Sequence, residues 1–168
     1  LSSTGQDELN NVIIRAVLNS MINKSVITAM PEINPETLEK EPQNWYLRKG
    51  IDALGEIFVD FNEFFAGPIL TSNFDPLLEI SIRKHGGNPQ SIFLVNDGKF
   101  LNLKSDRTHS VVHFHGYWHG SDTLHTIDQL KRERPQLKGD LKKILNNSVL
   151  LVIGYGGWND VFTNTLLE

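Results

Sequence analysis

The sequence predicts an α/β fold: a Rossmann-like, three-layer architecture with a mostly parallel sheet and an inserted β-hairpin. Three observations predict it. Short apolar runs at 69–72, 111–115 and 148–153 each end abruptly in small and polar residues. A buried parallel strand looks like this where it delivers side chains to a ligand crevice. Helix-period stretches separate these runs, which implies parallel pairing through right-handed crossovers. Asn96-Asp97-Gly98, set between the strand-like runs 91–95 and 99–103, signals the hairpin.

The totals fit that class. A chain of 168 residues suits one domain, spanning 1–168, with enough length to bury a sizeable core. A formal net charge of −4 and a pI near 5.9 argue against a general electrostatic grip on nucleic acid. The basic residues Lys131, Arg132, Arg134, Lys138, Lys142 and Lys143 read as a solvated face of two helices. The absence of cysteine excludes disulfides and cysteine-ligated zinc within the chain, and it fits a cytoplasmic protein. No apolar run is long enough to span a bilayer. The chain starts at Leu1 and stops in Asn164-Thr165-Leu166-Leu167-Glu168, which reads as mid-helix, so it is taken as a piece of a longer protein.

In chain order, 10–21 carries Val12, Ile13, Val17, Leu18 and Met21 at near-helical spacing. Prolines at 31, 35 and 42 make 31–43 a loop with at most one helical turn, read as surface scaffold. From 45 to 65, Ile51, Leu54, Ile57, Phe58, Phe61, Phe64 and Phe65 draw one apolar helix face, closed by Gly67-Pro68. The strand 69–72 follows, and Asp75-Pro76 opens a helix that ends at His85-Gly86-Gly87. After the hairpin and a polar loop at 104–109 comes the strand 111–115, then a helix at 123–134 broken by Pro135. A second helix occupies 137–145. The strand 148–153, the most apolar of all, turns through 154–157 into a helix over 160–167.

Three motifs fall at strand carboxyl ends and are expected to face one crevice. Asn73 and Asp75 flank Phe74 in a tight strand-to-helix turn; Asp75 equally reads as the helix cap. His113 and His115 lie two apart, so on a strand through 115 they share a face. Gly116 beside them admits a close approach, and His119 is near. His113, His119 and His125 also read as packed, hydrogen-bonded histidines. Gly154-Tyr155-Gly156-Gly157 could bring a phosphate or ribose near backbone N–H groups, though the third spaced glycine of the dinucleotide fingerprint is missing and Asp160 also reads as a cap.

In order, the three motifs resemble the sirtuin (silent information regulator) family. They look most like its bacterial branch of large NAD-cleaving antiphage proteins. Thr71-Ser72-Asn73-Phe74-Asp75 matches the family's T-x-N-x-D turn, and His115-Gly116 its strand ending in His-Gly. Gly154-Tyr155-Gly156-Gly157-Trp158-Asn159-Asp160 matches its late strand with a following Asp. The resemblance covers about residues 69–168. The family's Gly-Ala-Gly-x-Ser loop and the four-cysteine zinc module of its deacetylating members are both absent from these residues.

The resemblance implies an NAD+ glycohydrolase, with NAD as substrate and no resident metal. In that reading Asn73 holds the ribose and attacking water and His115 is the general base. Thr71, Asp75 and Gly116 lie on the ribose side, and Gly154, Tyr155, Gly156 and Asp160 line the adenosine side. It also implies a homo-oligomer or a fused or associated sensor domain, and neither membrane nor direct nucleic-acid contact. The alternatives are an NAD-dependent deacylase, a non-catalytic nucleotide-binding or assembly domain, and a metal hydrolase built on His113, His115, His119 and Asp122.

Overall fold

The computed structural model describes residues 3–22, 34–65, 67–93, 97, 109–121, 123–124 and 126–168. Its sheet has three parallel strands, β1 (Ile69–Thr71), β2 (Gln90–Phe93) and β3 (Ser110–His113), in the order β1-β3-β2. Thr71 and Phe93 both stand opposite His113, so the carboxyl ends of all three strands lie level. Central β3 is buried at every residue, as its β-branched Val111-Val112 pair requires.

The two faces of β3 feed two cores. Val112 and Phe114 pack on Leu137, Leu141 and Phe162, which come from α6 (Pro135–Leu145) and α7 (Val161–Leu166). His113, one residue on, faces the opposite side and meets Glu79 of α4 (Leu77–Lys84). Beyond α4, Ile80 joins a core of Val17, Leu18, Met21, Leu38, Trp45, Tyr117 and Trp118. These come partly from α1 (Ser3–Leu18) and α2 (Pro35–Glu39). Helices therefore cover both faces of a parallel sheet, and the three-layer Rossmann-like class holds.

Helix α3 (Lys49–Asp60) lies so close to α4 that a Cβ on Gly55 would sit 2.0 Å from Ser81 Oγ and 2.7 Å from its carbonyl carbon. Ser81 Oγ donates to the Asp52 carbonyl at 3.1 Å and locks that approach. Gly55→Ala is thus expected to destabilise the fold by about 1–3 kcal/mol, the usual cost of overpacking. A denaturant midpoint at constant m-value checks it.

Several boundaries move. The helix expected over 45–65 runs only from 49 to 60. Pro135 starts α6 rather than breaking a helix, because a first-turn position needs no N–H donor. The helix expected over 123–134 shrinks to α5 (Ile127–Lys131), set by a capping box between Thr126 and Gln129. In the region read as a surface loop, α2 and a 3-10 turn (Pro42–Asn44) form, and Glu39 is buried. The segment 148–153 is not a strand. Val149 is fully exposed, and Leu150, Leu151, Val152 and Ile153 are also exposed. Among the described residues no strand pairs with it. The hairpin partner at 99–103, Asp122 and His125 lie outside the described residues. Among the described residues, no helix is long and apolar enough to cross a membrane.

Candidate functional site

The carboxyl ends of β1 and β3 carry two adjoining turns. Phe114 N–H donates to the Thr71 carbonyl and Trp118 N–H to the Phe74 carbonyl, so the turns are stitched together. In the β1 turn, Asn73 N–H donates to Thr71 Oγ1 at 3.1 Å and Leu77 N–H to Asp75 Oδ1 at 3.1 Å. Asp75 thus holds the start of α4, and burial pushes its carboxyl above the usual range. Asn73 is exposed. In the β3 turn, Gly116 is buried at φ 100°, a conformation that strains any residue with a Cβ.

The three histidines at 113, 115 and 119 do not converge. Each meets a different buried carboxylate. His113 Nε2 lies 2.7 Å from Glu79 Oε1, His115 Nε2 2.7 Å from Asp160 Oδ2, and His119 Nε2 3.1 Å from Glu39 Oε1. Because β3 ends at His113, Phe114 and His115 belong to the turn, and strand alternation no longer applies to them. His113 turns toward α4, and His115 toward the start of α7. The shared face expected from their spacing is corrected by that early strand end. Among the described residues no three ligating groups gather, so these residues give a metal-hydrolase reading no centre.

His115 pairs with the carboxylate at the start of α7. Its side chain is 6% exposed, and Asp160 receives its Nε2. Asp160 Oδ2 also accepts from Tyr155 Oη at 2.7 Å, while Oδ1 caps α7 by accepting from Thr163 N–H at 2.9 Å. Burial would raise the Asp160 carboxyl. Its bonds from His115, Tyr155 and Thr163 outweigh that and hold it below the usual range. Burial and the bond to Asp160 push the Tyr155 phenol up to about 12. A carboxylate oxygen only accepts, so Nε2 donates in this bond. Nδ1 has no partner among the described residues.

Thr71, Asn73 and Asp75 thus share one turn and His115 and Gly116 the adjoining one, the two joined by backbone hydrogen bonds. Tyr155 and Asp160 join them through His115, whereas Gly154 and Gly156 lie on an exposed turn with no hydrogen bond to that group among the described residues. The start of α7 is capped by the chain's own carboxylate, which disfavours a phosphate there. Sequence reasoning missed Glu79 and Glu39. Glu79 left one signal, an acid inside the apolar run Leu77-Leu78-Glu79-Ile80. Glu39 left none.

A Rossmann-like α/β domain with its candidate crevice at the strand carboxyl ends is the class that fold and geometry define. Within it, the chain belongs to the SIR2-like family: the family model described as SIR2-like domain matches residues 68–168. Members of this family are typically NAD-dependent enzymes, so membership gives the chain an NAD-related function. No curated protein and no solved structure matches the chain.

Proposed function

We propose that this chain is the NAD+ glycohydrolase unit of an antiphage defence effector, cleaving NAD to nicotinamide and ADP-ribose. The observation that carries the chemistry is the Asp160–His115 pair on a turn joined by backbone hydrogen bonds to the turn of exposed Asn73. The antiphage assignment rests on the likeness of the three motifs to the bacterial branch. In this reading 1–168 is one functional unit of a cytoplasmic protein that works as an oligomer or beside a sensor module.

The donor set suits a ribose and an attacking water. Asn73 offers both an amide donor and an acceptor, and His115 offers an oriented lone pair at Nδ1. Thr71 and Asp75 fix the turn that carries Asn73, and Gly116 lets the substrate approach the β3 turn. Tyr155 and Asp160 act through His115, and Gly154 and Gly156 line the adenosine side. The bond that breaks joins the anomeric carbon to the nicotinamide nitrogen, whose electron pair leaves with neutral nicotinamide. Water oxygen bonds to the anomeric carbon and its proton passes to His115 Nδ1, then to solvent. Asp160 stabilises the imidazolium formed.

Nicotinamide and ADP-ribose release by the full-length protein tests this. Wild type is expected to turn NAD over, and Asn73→Ala to lose about 10²-fold or more, the scale of a misplaced reactant. NAD binding without turnover under any condition would instead identify a non-catalytic nucleotide-binding domain.

A further inference from the structure

We propose that His113, fixed by Glu79, is a positioning residue for Asn73, holding the turn backbone so that the Asn73 amide faces the crevice. The inference rests on the function proposed above.

His113 is fully buried. Its Nδ1 lies 2.7 Å from the Asn73 carbonyl oxygen. A carbonyl only accepts, so Nδ1 carries a proton and donates. Its Nε2 lies 2.7 Å from Glu79 Oε1, which also accepts from Ser91 Oγ at 2.9 Å. Tyr117 packs edge-on against the ring at a centroid distance of 4.5 Å and limits its rotation. The imidazole is therefore a rigid spacer between α4 and the β1 turn.

Fold stability alone gives a poor account of this pair. Glu79 is fully buried, and among the described residues its Oε2 has no partner. A buried acid with one unmatched oxygen is costly, and well-packed apolar residues are often as stable as a buried ion pair. What the pair supplies is direction. Asn73 is exposed, and among the described residues no hydrogen bond holds its side chain. Its orientation depends on its own peptide units, and His113 grips one of them from beneath. Rotation of that peptide would swing the amide away from the crevice, and a shift of about 1 Å in such a group can cost about 10²-fold in rate.

Two substitutions separate the ring's two contacts. His113→Asn keeps an amide donor near the Nδ1 position and gives up Glu79. His113→Gln reaches toward Glu79 and gives up the Asn73 carbonyl. In the full-length protein both are expected to lower Tm similarly, while His113→Asn keeps at least about tenfold more kcat than His113→Gln, with KM little changed. Hydrogen exchange of the backbone amides at 72–75 is expected to quicken in His113→Gln more than in His113→Asn. Equal kcat and equal exchange in the two variants would overturn the inference. Should either fail to fold, Glu79→Gln against Glu79→Leu gives the same comparison, the amide variant retaining the larger kcat and the slower exchange. If the wild type lacks turnover, the proposed function fails, and the exchange difference still decides whether His113 holds the turn.

Discussion

His115→Ala in the full-length protein is expected to lower nicotinamide release about 10²–10⁴-fold, the range that a positioned general base contributes. The variant removes the oriented nitrogen and leaves the fold supported. Asp160 keeps Tyr155 Oη and the Thr163 N–H, so α7 retains its cap. Asp160→Asn is a sharper probe of the same idea. An amide can donate to Nε2 and turn the imidazole over, which would put the proton on Nδ1, the nitrogen needed as base. The expected loss is about 10²-fold or more in kcat, with NAD affinity retained. Tyr155→Phe leaves the Asp160–His115 bond in place and is expected to cost less than about tenfold. Single-turnover nicotinamide release across the three variants measures all of this, and imidazole nitrogen NMR reports the tautomer. Release by His115→Ala within tenfold of wild type would remove His115 from the base role.

The parts of the fold that depend on neighbours in sequence were legible. Periodicity located α4, α6 and the strands around Ile69 and Val111, because side-chain repeat and turn chemistry are local. Three failures share one physical cause. The run Val149-Leu150-Leu151-Val152-Ile153 has the composition of a buried strand, but a strand forms only against a partner, and among the described residues it has none. The histidine pair was assigned one face because β3 was taken to run through His115; it stops at His113, where the chain turns. The partners that decide each histidine's chemistry lie 34, 45 and 80 positions away. No pattern in a window of a dozen residues carries such pairings. The motif trio put two members just after β1 and β3, where backbone turns favour Asn, Asp and Gly locally, while its third member follows a run that forms no strand. It left unspecified which histidine would be buried as a spacer and which would be oriented by Asp160.

Glu39→Ala is expected to cost about 3–5 kcal/mol of stability, the range for breaking one partner out of a buried charged network. A single oxygen, Oε1, accepts from Tyr117 Oη at 2.8 Å, Trp118 Nε1 at 2.8 Å and His119 Nε2 at 3.1 Å. Tyr117 and Trp118 are each 1% exposed, so their donors would be left dry and unmatched. Glu39→Gln keeps an acceptor oxygen and is expected to cost less, about 1–3 kcal/mol. The same network sets an acid limb. Burial pushes the Glu39 carboxyl up, but the bonds from His119, Tyr117 and Trp118 outweigh it and hold the group below its ordinary value of 4.5. A depressed acid contributes stability that is fully present above its unfolded value and is lost as pH falls through the folded one. Asp160 has the same sign. His113 has the opposite sign. Burial pushes it down, but the bond and charge of Glu79 outweigh that and hold it above its ordinary 6.5. Its contribution is fully present below pH 6.5 and is lost as pH rises through the higher folded value. Urea unfolding is therefore expected to show stability falling below about pH 4.5 in wild type and falling less steeply there in Glu39→Ala. An acid limb of unchanged slope in that variant would mean that other carboxylates, Asp160 first among them, carry the acid sensitivity.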